Sequence, residues 1–178
     1  MTTQSTTRPS TVGPRDVWPL LAPIADAASQ AGQPHATLAA LDKALAQAIG
    51  HKLFTVLVLN FGRGENQRYY SNQPQAYATG DSKPIEPNSA FYKRLIGEGR
   101  PAISRNYDDI KAMFFDHELI RSLGCESCVN MPIRWDGKTI GTLNLLHQAD
   151  WYRDDDLPIL SAFTALAAAP ALEIIRRW

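Results

Sequence analysis

Residues 127–135 and 138–147 form two apolar runs with only Asp136-Gly137 between them. Nothing else in the chain constrains its folding so tightly. Asp-Gly between apolar runs favours a type I′ turn, in which both central residues take positive φ and the turn follows the twist of paired strands. The runs are therefore expected to be the strands Ser127–Trp135 and Lys138–His147 of one hairpin. A two-residue turn opposes Val129 to Asn144 and Met131 to Thr142. Alternation then puts Ser127, Val129, Met131 and Ile133 on one face with Ile140, Thr142, Asn144 and Leu146. Cys128, Asn130, Pro132, Gly141, Leu143, Leu145 and His147 take the other. Pro132 has no N–H, and a bulge at it would exchange the faces of Cys128 and Asn130. Both assignments stay open on the sequence.

The remaining segments read as elements around that hairpin. Residues 1–14 are rich in Thr, Ser, Pro and Gly and are expected to be a disordered tail. Arg15–Gln30 is expected to be helical, with Val17, Leu20, Leu21, Ile24 and Ala28 on one face and a late start or kink from Pro19 and Pro23. Ala36–Ile49 is a clearer helix, because Leu38, Leu41, Leu45 and Ile49 recur at helical spacing before Gly50. Leu53–Asn60 is apolar without alternation, as in a strand covered on both faces. Gly62 and Gly64 turn it back into a second strand, Gln67–Asn72. Asn88 or Ser89 can cap a short helix over Ala90–Ile96. Pro101–Ser104 suits an edge strand, and Tyr107–Leu123 one or two irregular helical turns. Asp154-Asp155-Asp156 opens a long closing helix, which Pro170 should kink. Two hairpins separated by helical segments argue for an α+β fold, a largely antiparallel sheet with helices on both faces, in one domain over residues 15–178.

Charge and composition exclude several function classes. Lys plus Arg total 18 and Asp plus Glu total 18, and the basic residues are scattered, so neither a nucleic acid nor an anionic membrane is expected as partner. No apolar run is long enough to span a bilayer, and the N-terminus lacks the apolar core of a signal peptide, so a cytoplasmic location is expected. The two cysteines, Cys125 and Cys128, are too few for a disulfide framework. They precede a strand rather than a helix N-terminus, where a thiolate would be stabilised. A zinc site would need His117 and His147 as well, without a second closely spaced ligand pair. No phosphate-binding loop or hydrolase elbow is present. Neither a metal nor a resident cofactor is expected.

The ordered set of motifs from residue 88 onward resembles the GAF domain, a sensor module related to PAS domains. Ala90-Phe91-Tyr92-Lys93-Arg94-Leu95-Ile96-Gly97-Glu98-Gly99-Arg100-Pro101 is similar to the family's helix and following short strand. Ser127-Cys128-Val129-Asn130-Met131-Pro132-Ile133 resembles the strand that ends in a small-apolar-Pro signature. Gly137-Lys138-Thr139-Ile140-Gly141-Thr142-Leu143 resembles the Gly-x-x-Ile-Gly-x-Leu return strand, and Asp154-Asp155-Asp156-Leu157 the start of the closing helix. The resemblance runs from about Gln33 to Arg177. It implies a GAF/PAS-like antiparallel sheet of roughly six strands. The terminal helices would pack on one face, with a ligand pocket under short helices on the other.

Expected ligand contacts follow from the residues and from the resemblance together. Asn144 sits mid-strand in an apolar run and must find partners if buried; an amide that donates and accepts suits either a polar ligand or a nearby loop. Cys128 joins it on one of the two face assignments. The resemblance places Phe91 and Tyr92 in the pocket wall, Phe115 and His117 in its cover, and Tyr70 and Asn72 near its mouth. One or more of these aromatics can equally be plain core. The lining is expected to be mostly neutral and aromatic, with amides, hydroxyls and one histidine, which suits an uncharged or zwitterionic metabolite.

Three functions remain open. The first is a stand-alone sensory domain that binds an unidentified small molecule, without catalysis, and acts in trans or through a homodimer built on Trp18, Leu20, Leu21, Ile174, Ile175 and Trp178. The second is a redox enzyme or thiol sensor using Cys125 and Cys128, like the free methionine-R-sulfoxide reductases that share the fold. The chain departs from that branch: it has no cysteine before Cys125, Asn144 and Leu146 stand where carboxylates are expected, and Cys128 stands where an acid is expected. The third is an interaction module whose pocket is filled by its own side chains. Cyclic-nucleotide and bilin binding are not supported, because the residues those GAF branches use cannot be traced.

Overall fold

The computed structural model describes residues 17–178. The tail expected over residues 1–14 and the start of the helix expected at Arg15 lie outside that span. The helices are α1 (Trp18–Ser29), α2 (His35–Ala48), α3 (Ala90–Tyr92, continued by a π turn over Lys93–Gly97), α4 (Tyr107–Met113), α5 (His117–Ser122), α6 (Leu157–Ala165) and α7 (Ala168–Arg176). The strands are β1 (Leu53–Asn60), β2 (Glu65–Ser71), β3 (Ser82–Pro84), β4 (Ala102–Ser104), β5 (Ser127–Trp135) and β6 (Lys138–His147). They form one six-stranded sheet in the order β3-β2-β1-β6-β5-β4, and all neighbours run antiparallel.

The sheet separates two apolar layers. On one face Phe54, Val56, Val58, Val129, Met131 and Leu145 pack against Leu38, Leu41 and Leu45 of α2, Leu160 and Phe163 of α6, and Ile174 of α7. Each such side chain contributes about 1.5–3 kcal/mol by leaving water. On the other face Leu53, Cys128 and Leu146 meet Ile110 of α4 and Ile120 of α5. β1 lies inside the sheet and is covered on both sides, which is why its sequence shows no polar alternation.

Pro170 acts upstream of itself. α6 ends at Ala165 and α7 begins at Ala168, with a 43° bend between them. A helical proline clashes with the carbonyl four residues earlier and supplies no N–H to it; here that carbonyl belongs to Leu166, so the break falls there. Among the described residues no single helix is long and apolar enough to cross a membrane, and this pair passes only as a bent unit whose apolar side is turned to the sheet.

The Asp136-Gly137 turn takes φ of 46° and 72°, as a type I′ turn requires. Beyond it the register changes. Arg134 opposes Thr139, but Ile133 opposes Gly141, leaving Ile140 unpaired. The bulge is therefore in β6, not at Pro132. Pro132 opposes Thr142 without a break, on a stretch of β5 beyond the three residues paired with β4. The extra residue shifts the pairing to Asn130 with Asn144 and Cys128 with Leu146. Cys128 and Asn130 thus share the face of Asn144, while Val129 and Met131 face the terminal helices.

β6 ends in a pH-sensitive contact. His147 Nδ1 accepts the Gln148 N–H at 2.8 Å, and its ring stacks on Trp151 at 3.5 Å and 10°. The hydrogen bond requires a neutral ring protonated at Nε2. Burial, then the charges of Lys52 and His51, push the pKa down to about 4. The unfolded chain, titrating near 6.5, takes up the proton first, so this stabilisation is complete above about pH 6.5 and is lost as pH falls toward 4. We expect urea melts to lose about 2 kcal/mol between neutral pH and about pH 4.5, and His147→Gln to remove most of that slope. An unchanged slope in the variant would refute the assignment.

Candidate functional site

The polar residues of the second sheet face lie in rows. The hydrogen-bonding register aligns Thr55 of β1, Asn144 of β6 and Asn130 of β5 across three strands. The neighbouring row is Arg68 of β2, Leu57 of β1 and Thr142 of β6. Cross-strand neighbours sit about 5 Å apart and alternate residues about 7 Å apart along a strand, so side chains of the two rows reach one another. Asn130 Nδ2 donates to Asn144 Oδ1 at 2.7 Å. Asn144 Nδ2 donates in turn to Thr55 Oγ1 at 3.2 Å and Thr142 Oγ1 at 3.3 Å. Cys128 Sγ donates to Asn130 Oδ1 at 3.2 Å. The network satisfies the buried amides and fixes which way each points.

Short helices cover this floor. Ser89 caps α3 by accepting the Tyr92 N–H at 3.1 Å, which turns Phe91, Tyr92 and Leu95 over the sheet. Phe114 meets Phe91 edge to face, with ring centres 5.7 Å apart. Met113, Phe115 and Ile120 complete the cover. Between cover and floor lies ≈ 130 Å³ open to the centres of water molecules, against the ~10–15 Å³ that one buried water needs.

The β2–β3 edge carries charge. Arg68 is 3% exposed; its guanidinium lies 3.7 Å above the Tyr77 ring, and Nη1 donates to the Ala78 carbonyl at 2.6 Å and to Asp81 at 3.4 Å. Its Nε is buried without a hydrogen-bond partner, as is Oδ1 of neighbouring Asn66. Lys83 of β3 bonds Asp116, the residue before α5, at 3.0 and 3.1 Å, and the Tyr77 hydroxyl donates to the same carboxylate. Burial opposes the Asp116 charge, yet Lys83 and the Tyr77 hydroxyl outweigh it and hold the carboxyl below its usual range. Burial pulls Lys83 below the ordinary lysine value, and Asp116 only partly restores it. Tyr77 is pushed well above the usual phenol range by burial and by Asp116.

Phe91, Tyr92, Phe115, Cys128 and Asn144 all line this one cavity. Tyr70, Asn72 and His117 lie elsewhere. Tyr70 points to the helical face, where its hydroxyl donates to Asp42 at 2.8 Å. Asn72 accepts the Phe54 N–H at 2.8 Å and donates to the Lys52 carbonyl, closing the end of β1. His117 Nδ1 pairs with the Tyr107 hydroxyl at 2.8 Å, within the cover helices. The expected neutral lining with one histidine is corrected: the charged residues on the lining are Arg68, Lys83 and Glu86, with Asp116 pairing Lys83 from behind, and no histidine lies among them. Arg68 and Asn66 were missed from the sequence; β2 sends them to one face with Ser71 across a bulge at Tyr69.

Both thiols are buried. Burial pushes Cys125 up to about 11 and Cys128 higher still, so both remain protonated near neutral pH and are weak nucleophiles. Among the described residues no group of His, Cys, Asp and Glu comes together as a metal site. The arrangement supplies hydrogen bonds, the Lys83–Asp116 and Arg68–Asp81 ion pairs, and aromatic walls.

No curated protein matches the sequence. Solved structures share the fold. The GAF domain of a phosphoenolpyruvate-protein phosphotransferase from Coxiella burnetii aligns over 92% of this chain and 96% of its own, with 11% identity and a TM-score of 0.70. The GAF domain of a two-component sensor histidine kinase from Bacillus halodurans aligns over 79% and 94%, with 15% identity and a TM-score of 0.63. The free methionine-R-sulfoxide reductase of Neisseria meningitidis, solved in complex with its substrate, aligns over 92% and 90%, with 17% identity and a TM-score of 0.62. A family model of the GAF domain matches residues 20–169, nearly the whole described chain, and the chain belongs to the GAF domain family.

Proposed function

We propose that this chain is a non-catalytic sensor, which takes up a small molecule between the sheet and its α3–α5 cover and signals in trans or through a homodimer. The cavity carries the reading: it is walled by aromatics, floored by a satisfied amide–hydroxyl network, and holds a buried Arg68 nitrogen without a partner. A pocket meant to be filled by its own side chains would leave neither that space nor that donor. The sensory use of the fold in histidine kinases and chemotaxis proteins supports the same reading.

A signal has a short route out. Arg105, two residues before α4, donates to the Tyr152 carbonyl at 3.4 Å and to Asp154 at 3.3 Å, at the entrance to α6. Movement of the cover would reach the terminal helices there. Trp18, largely exposed, and Trp178, half-exposed, lie at the terminal helices and suit a dimer contact. A cytoplasmic setting, with neither nucleic acid nor membrane as partner, completes the proposal.

The likeness to a sulfoxide reductase favours a second reading, with Cys125 and Cys128 as redox pair. Their burial and raised pKa values weigh against it. Native mass spectrometry of the purified protein tests the first reading: we expect a small-molecule adduct that is lost on denaturation, and a dimer. Methionine sulfoxide reduction that disappears in the Cys125→Ser/Cys128→Ser variant would overturn it. So would adduct-free protein whose melting temperature no member of a metabolite library shifts.

A further inference from the structure

We infer that the ligand of this cavity is a compact monocarboxylate with an apolar or aromatic body, its carboxylate held by Arg68. This rests on the cavity being a small-molecule site. The argument begins with unmet hydrogen bonding. A guanidinium carries five donors and accepts nothing. In Arg68 the Nη1 corner is spent on Ala78 and Asp81, while Nε is buried with no acceptor among the described residues. A buried cationic N–H without an acceptor is costly, so an oxygen from outside the chain is the natural partner.

Charge sets the number of negative groups. Lys83 is neutralised by Asp116 at 3.0 Å. Asp81, 68% exposed at its side chain, reaches Arg68 from the solvent side at the Nη1 corner and leaves Nε without an anion. Glu86 also lies on the cavity lining, so a monocarboxylate sets one negative charge beside Arg68 where a phosphate dianion would set two against the carboxylates already there. A guanidinium edge also matches the two oxygens of a carboxylate in shape.

The remaining lining describes the body of the ligand. The row of Thr55, Asn144 and Asn130 is adjacent to the row of Arg68 and Thr142. The amides there are engaged with one another, and the threonine hydroxyls, which accept from Asn144, keep their own hydrogens to donate. Phe91, Phe114 and Phe115 provide flat apolar walls. The molecule is therefore anchored by charge at the β2 edge and held elsewhere by packing and weak polar contacts.

Benzoate, benzamide and phenyl phosphate are matched probes for the test, titrated by calorimetry against ligand-stripped wild-type protein. We expect benzoate to bind about tenfold or more tighter than benzamide, and tighter than phenyl phosphate. Arg68→Met, checked for folding by circular dichroism, should abolish the benzoate preference, so that benzoate and benzamide bind alike. Arg68→Lys, which keeps the charge but loses Nε, should reduce the preference. Equal binding of benzoate and benzamide, tighter binding of phenyl phosphate, or a preference that survives in Arg68→Met overturns the carboxylate assignment while the small-molecule reading stands. A retained ligand identified by mass spectrometry as lacking a carboxylate does the same. If none of the three probes binds and the protein carries no adduct, both readings fall.

Discussion

Replacing Gly141 by valine will strongly destabilise the fold. A Cβ at this position would sit 2.5 Å from the Leu57 carbonyl oxygen, and 3.4 Å from Val58 Cα and Ile133 Cδ1. The first contact is with backbone in the neighbouring strand and cannot rotate away. Separating the strands would break the pairing of Val58 with Gly141 and Leu57 with Thr142, in the middle of the sheet. The cost is about 4 kcal/mol or more, comparable with the ~5–15 kcal/mol that holds a domain of this size together. Gly137→Ala is the control. Gly137 has φ of 72°, but a Cβ there would meet nothing within 4 Å, so only the left-handed backbone penalty of about 1 kcal/mol applies. Urea unfolding followed by circular dichroism separates the two. A wild-type midpoint for Gly141→Val would show that the sheet centre is more yielding than these contacts allow.

Gly141 also shows what could and could not be read from the sequence. The hairpin, its turn and the strand limits were legible, because a two-residue Asp-Gly connection between apolar runs leaves few alternatives. The face of each residue was not. One extra residue, Ile140, opposes nothing on β5 and reverses the parity of every pair beyond it. Nothing in the composition of Thr139-Ile140-Gly141 announces a bulge, and Pro132, the residue that chemistry singles out, keeps its register. Asn130 was therefore left undecided although it bonds Asn144 directly.

The charged edge of the cavity was hidden for a different reason. Glu65-Asn66-Gln67-Arg68 has the composition of a solvent-exposed strand. It becomes interior because β3, three residues drawn from a Pro- and Gly-containing loop, pairs along it. Pairing of so short a strand depends on tertiary contacts and leaves no periodic trace. The aromatic cover was easier to see: Phe91, Tyr92 and Phe115 are large aromatic side chains in the two helical segments that lie between the hairpins. Tyr70 was expected near the pocket mouth, and the bulge at Tyr69 turns it to the helical layer instead.

Removing the Asp116 carboxylate should open the cover without unfolding the sheet. Asp116 precedes α5 and reaches Lys83 on the edge strand and Tyr77 on the intervening loop, so one side chain ties the cover to the β2–β3 edge. Without it the Lys83 ammonium would remain beside the rings of Phe114 and Phe115, at 5.4 and 5.0 Å, and near the Arg68 charge, with no anion to balance it. Breaking one side of a largely buried pair costs about 3 kcal/mol, part of it recovered if the lysine escapes to water. Escape requires the cover to lift. In Asp116→Ala, amide exchange over residues 107–122 should accelerate by roughly 10–100-fold while β1 and β6 stay protected. Adding Lys83→Met should restore most of that protection, because no charge is then left to desolvate. The pH dependence has a definite sign. The folded Asp116 carboxyl lies below its unfolded value, so the tie holds at neutral pH and is lost as pH falls below the usual carboxylate range of about 4. Uniform acceleration across sheet and cover would mean that the pair stabilises the whole domain, and unchanged exchange in Asp116→Ala would show that aromatic packing alone holds the cover closed.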